Sequence, residues 1–216
     1  GQHVPVDKGG EELLGKNPRQ IHDIGVSMAF VPEDRLGMGL VGSMGMADNM
    51  MLKTYRSGRG PLLDRKPPRQ LAERVKEELD VLTPSINTPV RRLSGGNVQK
   101  VLVGREIAQN PSVLMTAYAV RGLDINTSYT IYNLLTAQKL KGVAVIYVGE
   151  DLDVMMALCD KIMVLCHGRV MGVVHAHKVT KEELGLMMTG ALDLTRKYED
   201  KPAGIARDTL IEEVDQ

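Results

Sequence analysis

A Ser-Gly-Gly sequence lies directly before a strongly helical stretch in residues 92–100, Arg-Leu-Ser-Gly-Gly-Asn-Val-Gln-Lys. Two glycines let the backbone approach a ligand closely. The next helix directs its unpaired N–H groups and the positive end of its dipole at that ligand, and the Ser94 hydroxyl adds a donor. The pattern therefore predicts a phosphate contact, although an ordinary loop and helix cap have the same residues.

Downstream of this sequence, helical and buried-strand patterns alternate, which is typical of a parallel α/β sheet. The last two strands are close enough to pair through a turn at His167 and Gly168. Thr180 stands three residues before Glu183, so the final helix begins with a capping box. The predicted helices are 96–109, 126–140, 151–158 and 180–188, and the predicted strands are 113–116, 143–148, 161–166 and 169–174.

Upstream, the pattern predicts one strand, at residues 26–31, and then a glycine-rich loop over residues 36–45. Asn17 and Pro18 are favourable as the cap and first residue of a short helix over residues 18–24. Longer helices are predicted at 46–52 and 68–82.

Composition excludes several classes of protein. The 216 residues include 27 Lys plus Arg, 27 Asp plus Glu and 43% hydrophobic residues, so the chain is expected to fold around a core. A net charge of zero argues against holding nucleic acid by bulk charge. Apolar runs such as 142–149 are far shorter than the roughly 20 residues of a membrane helix, and we expect a soluble protein. Cys159 and Cys166 match no zinc spacing or disulfide framework.

The sequence around Ser94 resembles the signature motif of the ATP-binding cassette (ABC) family, Leu-Ser-Gly-Gly before a glutamine-rich helix. Three further segments resemble this family in the same order: residues 121–124 its D-loop, 143–150 its switch-histidine strand, and 159–169 its closing hairpin. The resemblance implies an α/β fold, with the parallel sheet core of a P-loop NTPase-like ABC-ATPase and a helical subdomain that contains the signature.

The resemblance also implies a division of the chain. Residues 1–25 form an irregular N-terminal remnant and peripheral segment, and 26–52 a segment like the family's Q-loop. Residues 53–110 form the helical subdomain with the signature, 111–190 the α/β core and 191–216 a C-terminal tail.

Three short sequences narrow the branch of the family. Residues 30–35 (Phe-Val-Pro-Glu-Asp-Arg), 39–41 and 48–50 are similar to the second cassette of tandem-cassette ATPases that drive simple-sugar and nucleoside importers. This implies part of an ATP-binding and ATP-hydrolysing subunit, peripheral on the cytoplasmic face of the cell membrane. The implied partners are an N-terminal cassette in the same polypeptide, membrane-spanning permease subunits and, indirectly, a solute-binding protein, without nucleic acid.

The P-loop of the family is not recognisable in this sequence. Residues 10–17 match the first seven positions of the P-loop pattern, but no apolar strand precedes them and Pro18 would interrupt the helix that a P-loop needs after it. Glu11 and Glu12 would repel phosphates, and Asn17 lacks the hydroxyl that binds magnesium. We therefore expect the P-loop strand and helix to be missing, as in a truncated or internally deleted cassette.

The catalytic positions of the family are also substituted. With Asp124 aligned to the D-loop aspartate, Ala117 stands in place of the Walker B aspartate and Tyr118 in place of the catalytic glutamate. Glu150 replaces the switch histidine and Glu33 the Q-loop glutamine. Because phosphoryl transfer depends on positioned cations and donors around the γ-phosphate, we expect no hydrolysis by the isolated chain.

The signature itself is intact. The resemblance implies that Ser94, Gly95, Gly96 and Asn97 bind ATP held by the partner cassette, with Asp124 near the same interface. ATP and Mg²⁺ are accordingly expected at the partner's site, and no cofactor or metal on this chain alone.

Other interpretations remain open. A nucleic-acid-associated ABC ATPase shares the signature, and a non-catalytic interaction module would keep only the shape of the cassette. His175 and His177 could bind a metal, but a solvated strand end is the simpler interpretation. A basic stretch is interpreted as a solvated helix face, and a group of methionines as either a coupling surface or core packing. The basic residues run from Lys53 to Lys76, and the methionines are Met44, Met46, Met50 and Met51.

Overall fold

The computed structural model describes residues 13–55 and 63–195. Its main sheet is parallel and consists of β1 (Met28–Val31), β2 (Val113–Ala117) and β3 (Ala144–Val148), in that order. Met28 is in register with Val113, which is in register with Ala144. The parallel α/β sheet predicted from the alternating pattern is therefore confirmed.

Helices surround these strands and precede a separate hairpin. The described α-helices are α1 (Pro18–Asp23), α2 (Met46–Thr54), α3 (Lys66–Glu78), α4 (Gly95–Ile107), α5 (Ile125–Leu140), α6 (Leu152–Leu158) and α7 (Lys181–Met188). The hairpin is antiparallel and pairs β4 (Lys161–Cys166) with β5 (Arg169–His175). Its turn is made by His167 and Gly168, both at positive φ, as expected for a two-residue connection.

Side-chain caps explain where several helices begin. The Asn17 side chain accepts a hydrogen bond from the Gln20 N–H, and the Gln20 side chain accepts one from the Asn17 N–H. Thr180 and Glu183 form the same reciprocal pair at α7. Each pair satisfies two backbone donors that the first turn of a helix leaves unpaired, and both caps confirm predictions.

One helix ends earlier than the sequence predicts. The predicted helix 68–82 is α3, which stops at Glu78, because Asp80 adopts a left-handed φ of 47°. The Val81 N–H then bonds back to the Lys76 carbonyl, which closes the helix end. The predicted strand 26–31 begins two residues later, at Met28.

Residues 1–149 form one compact unit, whose described part has its core between the sheet and α2 to α5. α4 lies against β1, α3 and α5. Side chains that are fully buried in this core include Met46, Met50, Leu102, Leu114 and Ile131. Met46 and Met50 are therefore packing residues, whereas Met44 is 37% exposed.

Residues 150–195 form a second compact unit. Its core lies between the hairpin, α6 and α7 and includes Ile162, Val164, Leu184 and Met187. The five-part division expected from the sequence stays a prediction. In the two described ranges, no helix has the length and apolar character needed to cross a membrane.

Candidate functional site

Ser94 begins α4 and presents its hydroxyl at the helix N-terminus. Its Oγ atom accepts hydrogen bonds from the Asn97 N–H at 3.4 Å and from Asn97 Nδ2 at 2.8 Å. Both bonds use oxygen lone pairs, so the hydroxyl hydrogen remains available to an acceptor. Since Ser94 and Gly95 are exposed at the positive end of a 13-residue helix, this end of α4 suits an anion.

Asn97 orients this serine. While its Nδ2 donates to Ser94, its Oδ1 accepts a hydrogen bond from the Leu82 N–H at 2.8 Å. The Asn97 side chain thus ties the α3–α4 connection to the first turn of α4.

The two signature glycines have different surroundings. A Cβ placed on Gly95 would lie 3.6 Å from Arg35 Nη1, an ordinary contact distance, so a methyl group there would touch the guanidinium. A Cβ on Gly96 would lie 3.0 Å from Thr127 Oγ1. Gly96 therefore lets the N-terminal turn of α4 approach the first turn of α5.

Asp124 caps α5 beside this contact. Its carboxylate accepts hydrogen bonds from the Thr127 N–H at 2.9 Å and from the Thr127 hydroxyl at 2.7 Å. The backbone bond first, and the hydroxyl bond second, lower the pKa of Asp124 below its ordinary value. Asp124 is consequently an ionised cap whose bonding partner packs on the signature.

An ion pair joins the segment after β1 to the turn after β2. Arg121 Nη1 lies 2.6 Å from Glu33 Oε1, and the Arg121 guanidinium carbon lies 5.8 Å from the centre of the Tyr118 ring. The Arg121 side chain is 61% exposed and that of Glu33 47%, so solvent screens the pair. The Glu33 carboxylate is nevertheless already matched by a cation of the protein.

Arg35 connects three segments. Its Nε donates to Gln99 Oε1 at 2.7 Å, and its Nη2 donates to the Arg121 carbonyl. Burial lowers the pKa of Arg35, and the charge of Glu33 partly opposes that effect. The sequence marked residues 30–35 by resemblance but gave no indication of these contacts.

The side chain that ends β2 supplies no metal ligand. Ala117 ends β2 with a methyl group, and Tyr118 adopts a left-handed φ of 50° while its N–H donates to the Val148 carbonyl. Magnesium needs oxygen ligands, and the Ala117 methyl group is not one, whereas the Glu33 carboxylate is paired with Arg121 through Oε1. Glu150 is exposed at the beginning of the second unit.

The sequence analysis also considered a P-loop-like segment and a possible histidine metal site. Of the P-loop-like residues 10–17, the first three lie outside the described residues, and Asn17 is the cap of α1. His175 and His177 have ring centroids 5.5 Å apart. Within the described parts of the chain, no three His, Cys, Asp or Glu residues cluster as a metal site would require.

The basic stretch is exposed where it is described. Arg56 and Arg59 lie outside the described residues. Arg65, Lys66, Arg69 and Arg74 are exposed on and before α3, as expected of a solvated helix face.

No protein-family model matches the chain. Several curated proteins are nevertheless similar to it in sequence. The chain is 33% identical to the ribose import ATP-binding protein RbsA 1 of Streptomyces avermitilis, over 95% of its own length and 40% of that protein. It is 34% identical to the xylose import ATP-binding protein XylG of Moorella thermoacetica, over 84% of its own length and 36% of that protein. It is 35% identical to the guanosine import ATP-binding protein NupO of Bacillus subtilis, over 90% of its own length and 38% of that protein. The chain thus spans about two fifths of these relatives.

Solved structures of ABC cassettes share the fold. The dimeric, post-hydrolysis cassette MJ0796 bound to ADP and Pi superposes with a TM-score of 0.62 at 22% identity, covering 76% of this chain and 69% of that one. The ADP conformation of the cassette MJ1267 gives a TM-score of 0.58 at 17% identity, and the superposition covers 88% of this chain and 74% of that one. Both confirm the fold predicted from the signature and its flanking segments. The chain therefore has the ABC cassette fold, and its homologues are ATP-binding proteins of sugar and nucleoside importers.

Proposed function

We propose that this chain is the C-terminal, second cassette of an importer's ATP-binding subunit and that it contributes its signature to Mg·ATP held by the first cassette of the same polypeptide. In this proposal, Ser94 and the N–H groups of Gly95 and Gly96 contact the γ-phosphate across the interface, Asn97 and Asp124 support them, and the chain's own site does not turn over.

One observation carries the proposal. The N-terminus of α4 exposes the Ser94 hydroxyl donor and Gly95, whereas Ala117 and Tyr118 stand where β2 ends. A helix end with these donors can stabilise the charge of a phosphate, but it cannot supply a metal ligand or a general base. The chain is thus equipped for one half of a composite site.

The second half of the proposal concerns partners. The relatives are import ATP-binding proteins, and the chain spans 36–40% of their length, as expected if each of them contains two cassettes. The segment after β1 exposes apolar side chains that suit contact with permease subunits on the cytoplasmic face of the membrane: Leu36, Met38, Val41 and Met44. The solute is a simple sugar or a nucleoside, delivered to the permease by a solute-binding protein.

A nucleotide titration tests the own-site part of the proposal. This chain, shown to be folded by circular dichroism, is titrated with a fluorescent ATP analogue with and without Mg²⁺. We expect no saturable binding below about 1 mM, because a helix end alone gives a small part of the binding free energy of a nucleotide. Micromolar, magnesium-dependent binding by this chain would contradict the proposal.

A purification experiment tests the partners. The tagged full-length protein is solubilised from membranes under mild conditions and its bound components are identified. We expect a multi-span membrane protein. Recovery of nucleic acid or ribosomes in its place would instead favour the nucleic-acid-associated class of ABC ATPase.

A further inference from the structure

The arginine after the Glu33–Asp34 pair reaches two distant parts of the chain. Arg35 is 64 residues from Gln99 and 86 residues from Arg121, and it donates a hydrogen bond to each. Gln99 lies in the second turn of the signature helix α4, and Arg121 lies in the turn between β2 and α5. A single guanidinium therefore links the signature helix to the segment that precedes Asp124.

Only the oxygen end of the Gln99 side-chain amide has a hydrogen-bond partner in the described structure. Gln99 is completely buried, its Oε1 accepts from Arg35 Nε, and its Nε2 is buried without a hydrogen-bond partner in the described structure. Because Arg35 can only donate, it fixes which end of the amide faces it. The Gln99 side chain thus gains its hydrogen bond from Arg35.

The same guanidinium also lies beside Gly95, the exposed first glycine of the signature. Its Nη1 is 3.6 Å from the position a Cβ would take on Gly95. The Arg35 backbone is held in place because Asp34 accepts a hydrogen bond from the Gly37 N–H at 2.8 Å, which caps the helical turn Arg35–Gly39. Both the origin and the end of this side chain are consequently restrained.

We propose that Arg35 is a positioning residue that holds the signature helix against the β2–α5 turn, so that Ser94 and Gly95 meet the partner's ATP in one orientation. This inference rests on the proposed function. A lysine at this position keeps the charge, but its single nitrogen cannot satisfy both the Gln99 amide and the Arg121 carbonyl in the directions that the planar guanidinium does.

The expected kinetic effect is specific. Since the partner cassette holds ATP with its own P-loop, loosening the signature weakens an interaction made on closure and in the transition state more than it weakens ATP binding. In the assembled importer, Arg35→Lys should lower kcat for ATP hydrolysis about tenfold with KM within about twofold. Arg69→Lys, on an exposed part of α3, is the matched control and should leave both constants unchanged.

Hydrogen exchange provides a readout without nucleotide. In Arg35→Lys, amides of residues 95–99 and 121–124 should exchange faster than in the wild-type protein, whereas α3 should not change. A Gln99→Leu variant should also lower kcat, and the double variant should be no slower than Arg35→Lys, because the Gln99 contact is already lost in Arg35→Lys.

The outcomes separate this inference from the proposed function. If Ser94→Arg abolishes hydrolysis while Arg35→Lys keeps wild-type kcat and exchange, the positioning role is wrong and the signature role stands. If Ser94→Arg leaves hydrolysis intact, the proposed function fails. Unchanged hydrogen exchange in Arg35→Lys would then overturn the positioning role of Arg35 as well. If Arg35→Lys does not fold, Gln99→Leu with wild-type kcat overturns the inference.

Discussion

Ser94 and Asp124 are caps of two helices whose first turns touch. The Thr127 hydroxyl donates to the Asp124 carboxylate at 2.7 Å and lies 3.0 Å from where a Cβ on Gly96 would stand. The Asp124 cap and the signature turn are thus in contact through one threonine side chain.

The Asp124 cap has a defined pH dependence. Because hydrogen bonds from Thr127 lower its pKa in the folded protein, the ionised cap contributes stability above the unfolded pKa of about 3.9 and loses it as the pH falls through the lower folded value. Asp124→Asn should thus have a lower Tm than wild type between pH 5 and 7, and the difference should shrink below about pH 4.

Thermal unfolding followed by circular dichroism from pH 7 to pH 3 checks this. Glu73→Gln, on an exposed part of α3, removes a carboxylate that caps no helix and controls for the change in net charge. A Tm difference between Asp124→Asn and wild type that is the same at pH 3 and pH 7 would refute the assignment.

The residues of the motifs could be predicted from the sequence, whereas the long-range contacts that hold them in place could not. Ser94 and Gly95 could be picked out because they stand directly before a helical stretch, and Ala117 and Tyr118 by their alignment with the family's D-loop. Arg35 acquires its role from partners 64 and 86 residues away, and such contacts leave no periodic pattern in the chain.

Helix α4 is held in the first unit by a close helix contact and a buried charge network. Glu106 is completely buried and pairs with Arg105 at 2.7 Å and with Lys53 at 3.1 Å, while Arg105 also donates to the Gly39 carbonyl. The network joins α4 to α2 and to the turn that begins at Arg35. Removing one partner would leave an uncompensated buried charge, which is costly.

Gly104 permits the α3–α4 contact. A Cβ at this position would lie 2.6 Å from Val75 Cγ1 and 3.0 Å from Leu79 Cδ1. Gly104→Ala should destabilise the protein by about 1–3 kcal/mol through overpacking, in spite of a helix-propensity gain of about 1 kcal/mol.

Gly185, in α7, is the matched position, because an added Cβ would contact nothing within 4 Å. Gly185→Ala should stabilise by up to about 1 kcal/mol. Urea unfolding of both variants measures the two changes. Equal changes of the same sign would show that the α3–α4 contact is not as close as described.

Elements with caps or clear periodicity were predictable, and irregular ones were not. Asn17 and Thr180 mark the starts of α1 and α7, and the alternation of helix and strand indicates a parallel sheet. The turn Arg35–Gly39 was predicted as loop, yet the Leu40 N–H bonds to the Arg35 carbonyl at 2.7 Å in a π-helical turn. Three glycines within residues 37–42 obscure any helical preference there.

The two compact units of the chain contain different functional features. Its first compact unit contains the parallel sheet, the signature and the Glu33–Arg121 pair, and its second contains a hairpin with two helices. The signature presents donors to an anion, while the end of β2 lacks a carboxylate at Ala117 and Tyr118. We therefore expect ATP turnover to depend on a second cassette that supplies the P-loop and the catalytic carboxylates.

Steady-state ATP hydrolysis by the assembled importer, with Ser94→Arg in this chain, tests that claim most directly. The arginine removes the hydroxyl and adds bulk at the exposed start of α4. Thr180→Arg, which removes the cap of α7, controls for the loss of a helix cap, worth about 0.5–2 kcal/mol. We predict that Ser94→Arg lowers kcat at least 100-fold, about 2.7 kcal/mol in the barrier, while Thr180→Arg keeps wild-type turnover. Wild-type kcat in Ser94→Arg would contradict the signature role.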